Sequence, residues 1–156
     1  MPRKSPLIKS SEGYTLIELT AVIAIMGLMT AILVPLGDEF ISRNELKAAA
    51  RILTSDIRYG ENKALVEERD YKIRFFPSSN EYRMYFDSGS GRKFKSIKFS
   101  KRLDLRKTNF NDDTLWFNRK GKVYQGGTIT LKDNYNNWIY VKVTPVTGRV
   151  KIDYQP

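Results

Sequence analysis

The sequence predicts an α+β fold in which one long amino-terminal helix packs on antiparallel β-sheet. Two features of the pattern lead there. An uncharged apolar run, Leu19 to Leu36, passes into a segment whose apolar residues recur every three or four positions. After Asp70 the period changes to short alternating runs rich in aromatic and β-branched residues, separated by turn chemistry. A third observation narrows the chemistry: the 156 residues contain no cysteine and no histidine. Disulfides, thiol nucleophiles, Ser-His-Asp arrangements and the usual zinc ligand sets are therefore excluded.

Residues 1–13 form a short leader with Arg3, Lys4 and Lys9 against one acid, Glu12. Its basic excess is expected to stay on the cytoplasmic side, with the remainder of the chain facing outward. The next segment, residues 14–37, is a membrane-spanning candidate: eighteen uncharged residues make about 27 Å of helix, close to the hydrocarbon thickness of a bilayer. Glu18 stands inside its front end with no basic neighbour in sequence. A lone carboxylate there costs about 2.5–3.5 kcal/mol on insertion scales, so it either snorkels to the interface or has a partner. A secretory signal places its cleavage site after the apolar block, whereas the small residue Gly13 precedes it.

The heptapeptide Gly13-Tyr14-Thr15-Leu16-Ile17-Glu18-Leu19, behind a basic leader and ahead of an apolar helix, resembles the type IV prepilin signal of pilins and pseudopilins. The resemblance implies a pilin-like fold, cutting by prepilin peptidase between Gly13 and Tyr14, and methylation of the new Tyr14 amino group. It implies that Glu18, fifth in the mature chain, pairs with the free amino terminus of a neighbouring subunit. Such a pairing makes electrostatic sense, because the amine stays mostly cationic near neutral pH. Tyr14 departs from the family's usual phenylalanine but remains aromatic.

Within the apolar segment, Pro35 has no N–H for the carbonyl of Ala31, and Gly27 and Gly37 lower helix propensity. Pro35 either kinks a stable helix or, as the resemblance implies for Gly27 and Pro35, marks where the helix loosens in a filament. Residues 38–69 read as the amphipathic half of the same helix. Leu46, Ala50, Leu53, Ile57, Gly60 and Ala64 form its stripe, with Arg43, Lys47, Arg51, Asp56 and Arg58 between them.

Residues 70–156 form the β-rich domain. Strands are predicted over 71–76, 82–87, 93–99, 114–118, 127–132, 138–144 and 149–154. Turns fall at Pro77-Ser-Ser-Asn, Asp87-Ser-Gly-Ser-Gly, Arg119-Lys-Gly-Lys, Asp133-Asn-Tyr-Asn-Asn and Pro145-Val-Thr-Gly. Residues 101–113 are less patterned, either a loop or a poor edge strand. Leu115-Trp-Phe-Asn-Arg-Lys-Gly-Lys-Val, Gly127-Thr-Ile-Thr-Leu, Ile139-Tyr-Val-Lys-Val and Thr147-Gly-Arg-Val-Lys resemble the GspH/FimT group of minor pseudopilins. That group has a Phe-x-x-x-Gly hairpin and a final hairpin ending in Gly-Arg.

Charge and oxygen clusters raise four further questions. The chain carries +10, and removing the leader's three bases and one acid leaves +8, which favours anionic neighbours or simply keeps the protein soluble. Glu67, Glu68 and Asp70 read as a solvated helix end, since adjacent acids do not supply the two environments that acid–base catalysis needs. Asp133-Asn-Tyr-Asn-Asn offers oxygens at alternate positions but lacks the acids and spacing of a calcium loop, so a self-bonded hairpin turn is expected. Between Arg92 and Lys107 lie eight basic residues with Phe94 and Phe99 interleaved. This is either a phosphate-binding and stacking surface or, as favoured, a strand with Ile97 and Phe99 inward and its lysines outward.

In the tail, alternation puts Arg149 and Lys151 on one side and Val150 and Ile152 inward. Some FimT-type proteins linked to DNA uptake carry Gly-Arg-x-Arg there; Lys151 keeps the charge but loses the bidentate fork. The expected protein is therefore no enzyme, with no cofactor, no metal and no small-molecule substrate. It is a minor pilin or pseudopilin subunit, single-pass in the cytoplasmic membrane with its carboxyl-terminal domain outside, then part of a pilus or pseudopilus. Its expected partners are prepilin peptidase, other major and minor pilins and an inner-membrane assembly platform. The alternative is a DNA-binding minor pilin at the filament tip acting in DNA uptake.

Overall fold

The computed structural model describes residues 14–86, 93–145 and 147–154. The leader with Gly13, the turn at 87–91, Arg92 and Val146 lie outside the described residues. The helix α1 covers Leu16–Glu67, 52 residues, and continues through Gly27 and Pro35 without a break in its assignment. The chain divides into two compact units, residues 1–38 and 39–156. The helix ends at Glu68, which takes the left-handed conformation (φ 49°), and the Arg69 N–H bonds back to the Ala64 carbonyl at 3.3 Å. This is a Schellman-type ending with glutamate where glycine is commoner. Glu67 is not merely solvated: it accepts hydrogen bonds from Lys63 and from the Tyr71 hydroxyl, tying the last turn to the first strand.

Eight strands follow: β1 Tyr71–Phe76, β2 Glu81–Phe86, β3 Lys93–Lys98, β4 Leu103–Thr108, β5 Thr114–Phe117, β6 Gly127–Asp133, β7 Trp138–Val143 and β8 Val150–Asp153. They form two four-stranded antiparallel sheets, ordered β3-β2-β1-β5 and β4-β6-β7-β8. The segment 101–113 thus contains an edge strand of the second sheet, pairing with β6 through a register shift between Leu105 and Lys107. Leu103 and Leu105 are buried, which suffices to seat it. The Phe-x-x-x-Gly hairpin closes by a bridge from Phe117 to Val123, with Gly121 in the left-handed region (φ 69°).

Every residue of the expected helix stripe is buried, and Ser42, Ala49, Thr54 and Asp56 join it. Gly60 lets the helix come close to β5: a Cβ there would lie a tight 3.2 Å from the Phe117 ring. Asp56, read from sequence as an outward polar position, is 5% exposed. Its carboxylate accepts a hydrogen bond from the Tyr82 hydroxyl at 2.7 Å and pairs with Lys95 Nζ at 2.5 Å. Burial, then the hydrogen bond to Asp56, holds the Tyr82 phenol well above its ordinary pKa. Lys95 reaches the helix because the β2–β3 register shifts between Met84 and Tyr85, leaving Phe94 as an extra residue. Phe94 packs against Tyr59, Tyr71 and Phe86.

Further along α1, Glu61 is wedged beneath the last hairpin: a Cβ on Gly148 would sit 2.6 Å from its Oε1. Burial raises the Glu61 carboxyl above its ordinary value, with Arg58 opposing. A carboxyl with a raised folded-state pKa contributes stability that is present below its unfolded value and is lost as pH rises through the folded one. Glu61→Gln is therefore predicted to raise the urea midpoint at pH 7 and to leave it nearly unchanged at pH 4. A gain confined to pH 4 would contradict this.

Candidate assembly site

At the start of α1, Thr15 and Glu18 cap the helix reciprocally. The Thr15 N–H and hydroxyl donate to Glu18 Oε2 at 2.8 and 2.9 Å, and the Glu18 N–H donates to Thr15 Oγ1 at 3.3 Å. This is a capping box, whose Thr-x-x-Glu spacing was legible in the heptapeptide but was masked by the other reading of Glu18. The carboxylate therefore has partners within its own chain. Tyr14 precedes it and is exposed, as are Leu16, Ile17, Leu19 and the large apolar side chains that follow to Leu36. Among the described residues α1 is the one helix long and apolar enough to cross a membrane. Glu18 is the single charged residue in its first 22 positions. Neither Gly27 nor Gly37 has any atom within 4 Å of a would-be Cβ, so this chain's own packing does not demand either.

The basic segments are dispersed. Lys93, Lys95 and Lys98 belong to the edge of the first sheet and Arg106 and Lys107 to the edge of the second. Phe99 is buried against Tyr82 and Phe94 is turned into the aromatic cluster, so neither ring is a stacking platform. Ile97 is partly buried against the core, as expected for an inward apolar face. In the tail, Arg149 and Lys151 are exposed while Val150 is buried and Ile152 packs on the core. Lys151 is 2.9 Å from Asp153, which also holds Lys142 at 2.8 Å. Asp133 is buried in the β6–β7 hairpin and accepts hydrogen bonds from the N–H groups of Tyr135 and Asn137 and the Asn137 amide, all at 2.8–2.9 Å. Its oxygens thus serve the turn, as the self-bonded reading expects.

One long helix on two antiparallel sheets, led by an exposed apolar stretch with a single acid, is the pilin fold. Among solved structures the chain is similar to the minor pseudopilin EpsH from the type 2 secretion system of Vibrio cholerae: TM-score 0.61, 13% identity, 70% of this chain and 97% of that one. It is also similar to the type IV minor pilin FimU of Pseudomonas aeruginosa, with TM-score 0.58 and 20% identity over 75% and 92% of the two chains. A fimbrial protein of Pseudomonas aeruginosa is 22% identical over 154 residues, 96% of each chain. No protein-family model matches. The resemblance read at the two ends of the sequence is thus met by structures of a minor pseudopilin and a minor pilin.

Proposed function

We propose that this chain is a minor pilin-like subunit that helps build or initiate a type II secretion pseudopilus or a type IV pilus. Prepilin peptidase cuts between Gly13 and Tyr14 and methylates Tyr14. The segment 14–37 then anchors the domain outside the cytoplasmic membrane until an assembly platform passes it to other pilins. Glu18 exchanges its cap on Thr15 for the amino terminus of a neighbouring Tyr14, and Gly27 and Pro35 let the helix loosen among its neighbours. One observation carries this reading: a single acid, the fifth residue after the expected cut, in the exposed apolar start of a helix whose chain has the pilin fold.

Mass spectrometry of the native chain tests it directly. The expected amino-terminal peptide begins at methylated Tyr14. A peptide that keeps residues 1–13 would leave an anchored domain with an uncut leader and overturn the proposal. The tail does not favour DNA uptake, since Asp153 engages Lys151.

A further inference from the structure

A groove of about 280 Å³ lies where α1 meets the second sheet, and it brings cations and aromatic rings onto an apolar lining. Helix spacing sets Arg43 and Lys47 one turn apart beside it, both exposed. The β7–β8 register, which pairs Tyr140 with Asp153, carries Tyr154 to the start of β7, where Trp138 stands. The buried Leu46 and Ile139 supply the apolar lining. A third cation adjoins: Lys132 Nζ is 5.1 Å from the Trp138 ring centroid.

The carboxylates around this groove are already engaged. Asp133 serves its own turn and the Asn137 amide, and Asp153 holds Lys142 and Lys151. Glu39 pairs with Arg43 at 2.9 Å, but an exposed pair one helical turn apart contributes little and yields to a stronger anion. The groove therefore suits a ligand that is anionic at one end and less polar behind it. A phospholipid headgroup has that character, whereas an inorganic anion uses only the cations. Trp and Tyr beside Lys and Arg are also the side chains that settle at a membrane interface. Arg43 and Lys47 are the first two basic residues after the apolar segment, so a chain anchored by that segment carries them to the headgroup layer first.

We propose that this groove takes the headgroup of an anionic phospholipid, with its phosphate on Arg43 and Lys47 and its glycerol against Trp138 and Tyr154. The inference rests on the membrane-anchored reading for its setting and adds a lipid contact made by the β-rich domain itself.

The test uses the full chain in maltoside micelles with Trp116→Phe, which leaves Trp138 as the one tryptophan of the two. Brominated phosphatidylglycerol mixed into the micelles is expected to quench Trp138 at a lower mole fraction than brominated phosphatidylcholine. Its midpoint should rise with added salt. Arg43→Gln with Lys47→Gln should raise that midpoint about tenfold, as two cations near an anionic surface would. Lys93→Gln with Lys98→Gln, an equal loss of charge on the first sheet, should leave it unchanged. Circular dichroism of each variant reports whether the fold survives. Equal quenching by the two lipids would overturn the proposal, as would equal shifts from the two double variants. So would displacement of the brominated lipid by inorganic phosphate or polyglutamate at matched ionic strength, which would assign the groove to a soluble anion. Entry of the chain into phosphatidylcholine vesicles reports the apolar segment instead, so failure of the anchor and failure of the groove are read separately.

Discussion

Glu18→Ala is expected to be cleaved as efficiently as the parent chain yet to enter filaments about a hundredfold less. The motive is the lone acid in an exposed apolar stretch. In the isolated chain its carboxylate is occupied by Thr15. That cap stabilises the helix start by satisfying N–H groups that have no partner within the helix. If assembly transfers Glu18 to the amino terminus of another subunit, a cap between neutral and charged groups is replaced by a salt bridge in low dielectric. Glu18→Gln separates the two roles, since glutamine can complete a capping box but carries no charge. Normal incorporation of Glu18→Gln, scored by immunoblot of sheared filaments, would sink the pairing model and leave helix capping as the acid's task.

A second large effect is expected from Asp56→Ala, about 3 kcal/mol of lost folding stability. The substitution strands the Tyr82 hydroxyl in the core and removes the partner of Lys95. Lys95 is 41% exposed, so water compensates it in part, and most of the loss falls on Tyr82. Asp56→Asn keeps an acceptor for the phenol and should lose less. Urea melts of the full chain in micelles would decide: an Asp56→Ala midpoint within about 0.5 kcal/mol of the parent would show that the network contributes little.

The helix and its buried stripe were legible because a 3.6-residue period survives over six positions, Leu46 to Ala64, each of which is buried. Asp56 was not, because a carboxylate among basic residues reads as solvent-facing until the Tyr82 hydroxyl and Lys95 arrive from strands 26 and 39 positions away. Strand positions came through well, but their division into two sheets did not. Alternation reveals which side of a strand is apolar, not which strand lies beside it. In β4 only Leu103 and Leu105 carry the signal, set among Arg102, Asp104, Arg106 and Lys107. The bulge that turns both Phe94 and Lys95 inward breaks the period-two rule locally, and no residue type announces it. At the helix start the sequence held two motifs on one acid, and only one of them was read.

The outermost strands have a consequence for a chain crowded beside copies of itself. The β3 border is studded with Lys93, Lys95 and Lys98, and β4 carries its irregularity next to Arg106 and Lys107. Strands β5 and β8 are four residues each, and β5 is partly covered by the bridge to Val123. Like charges, brevity and distortion are the means by which proteins keep ladders from growing sideways into aggregates. Each open border of the domain is thus guarded against pairing with a stray strand.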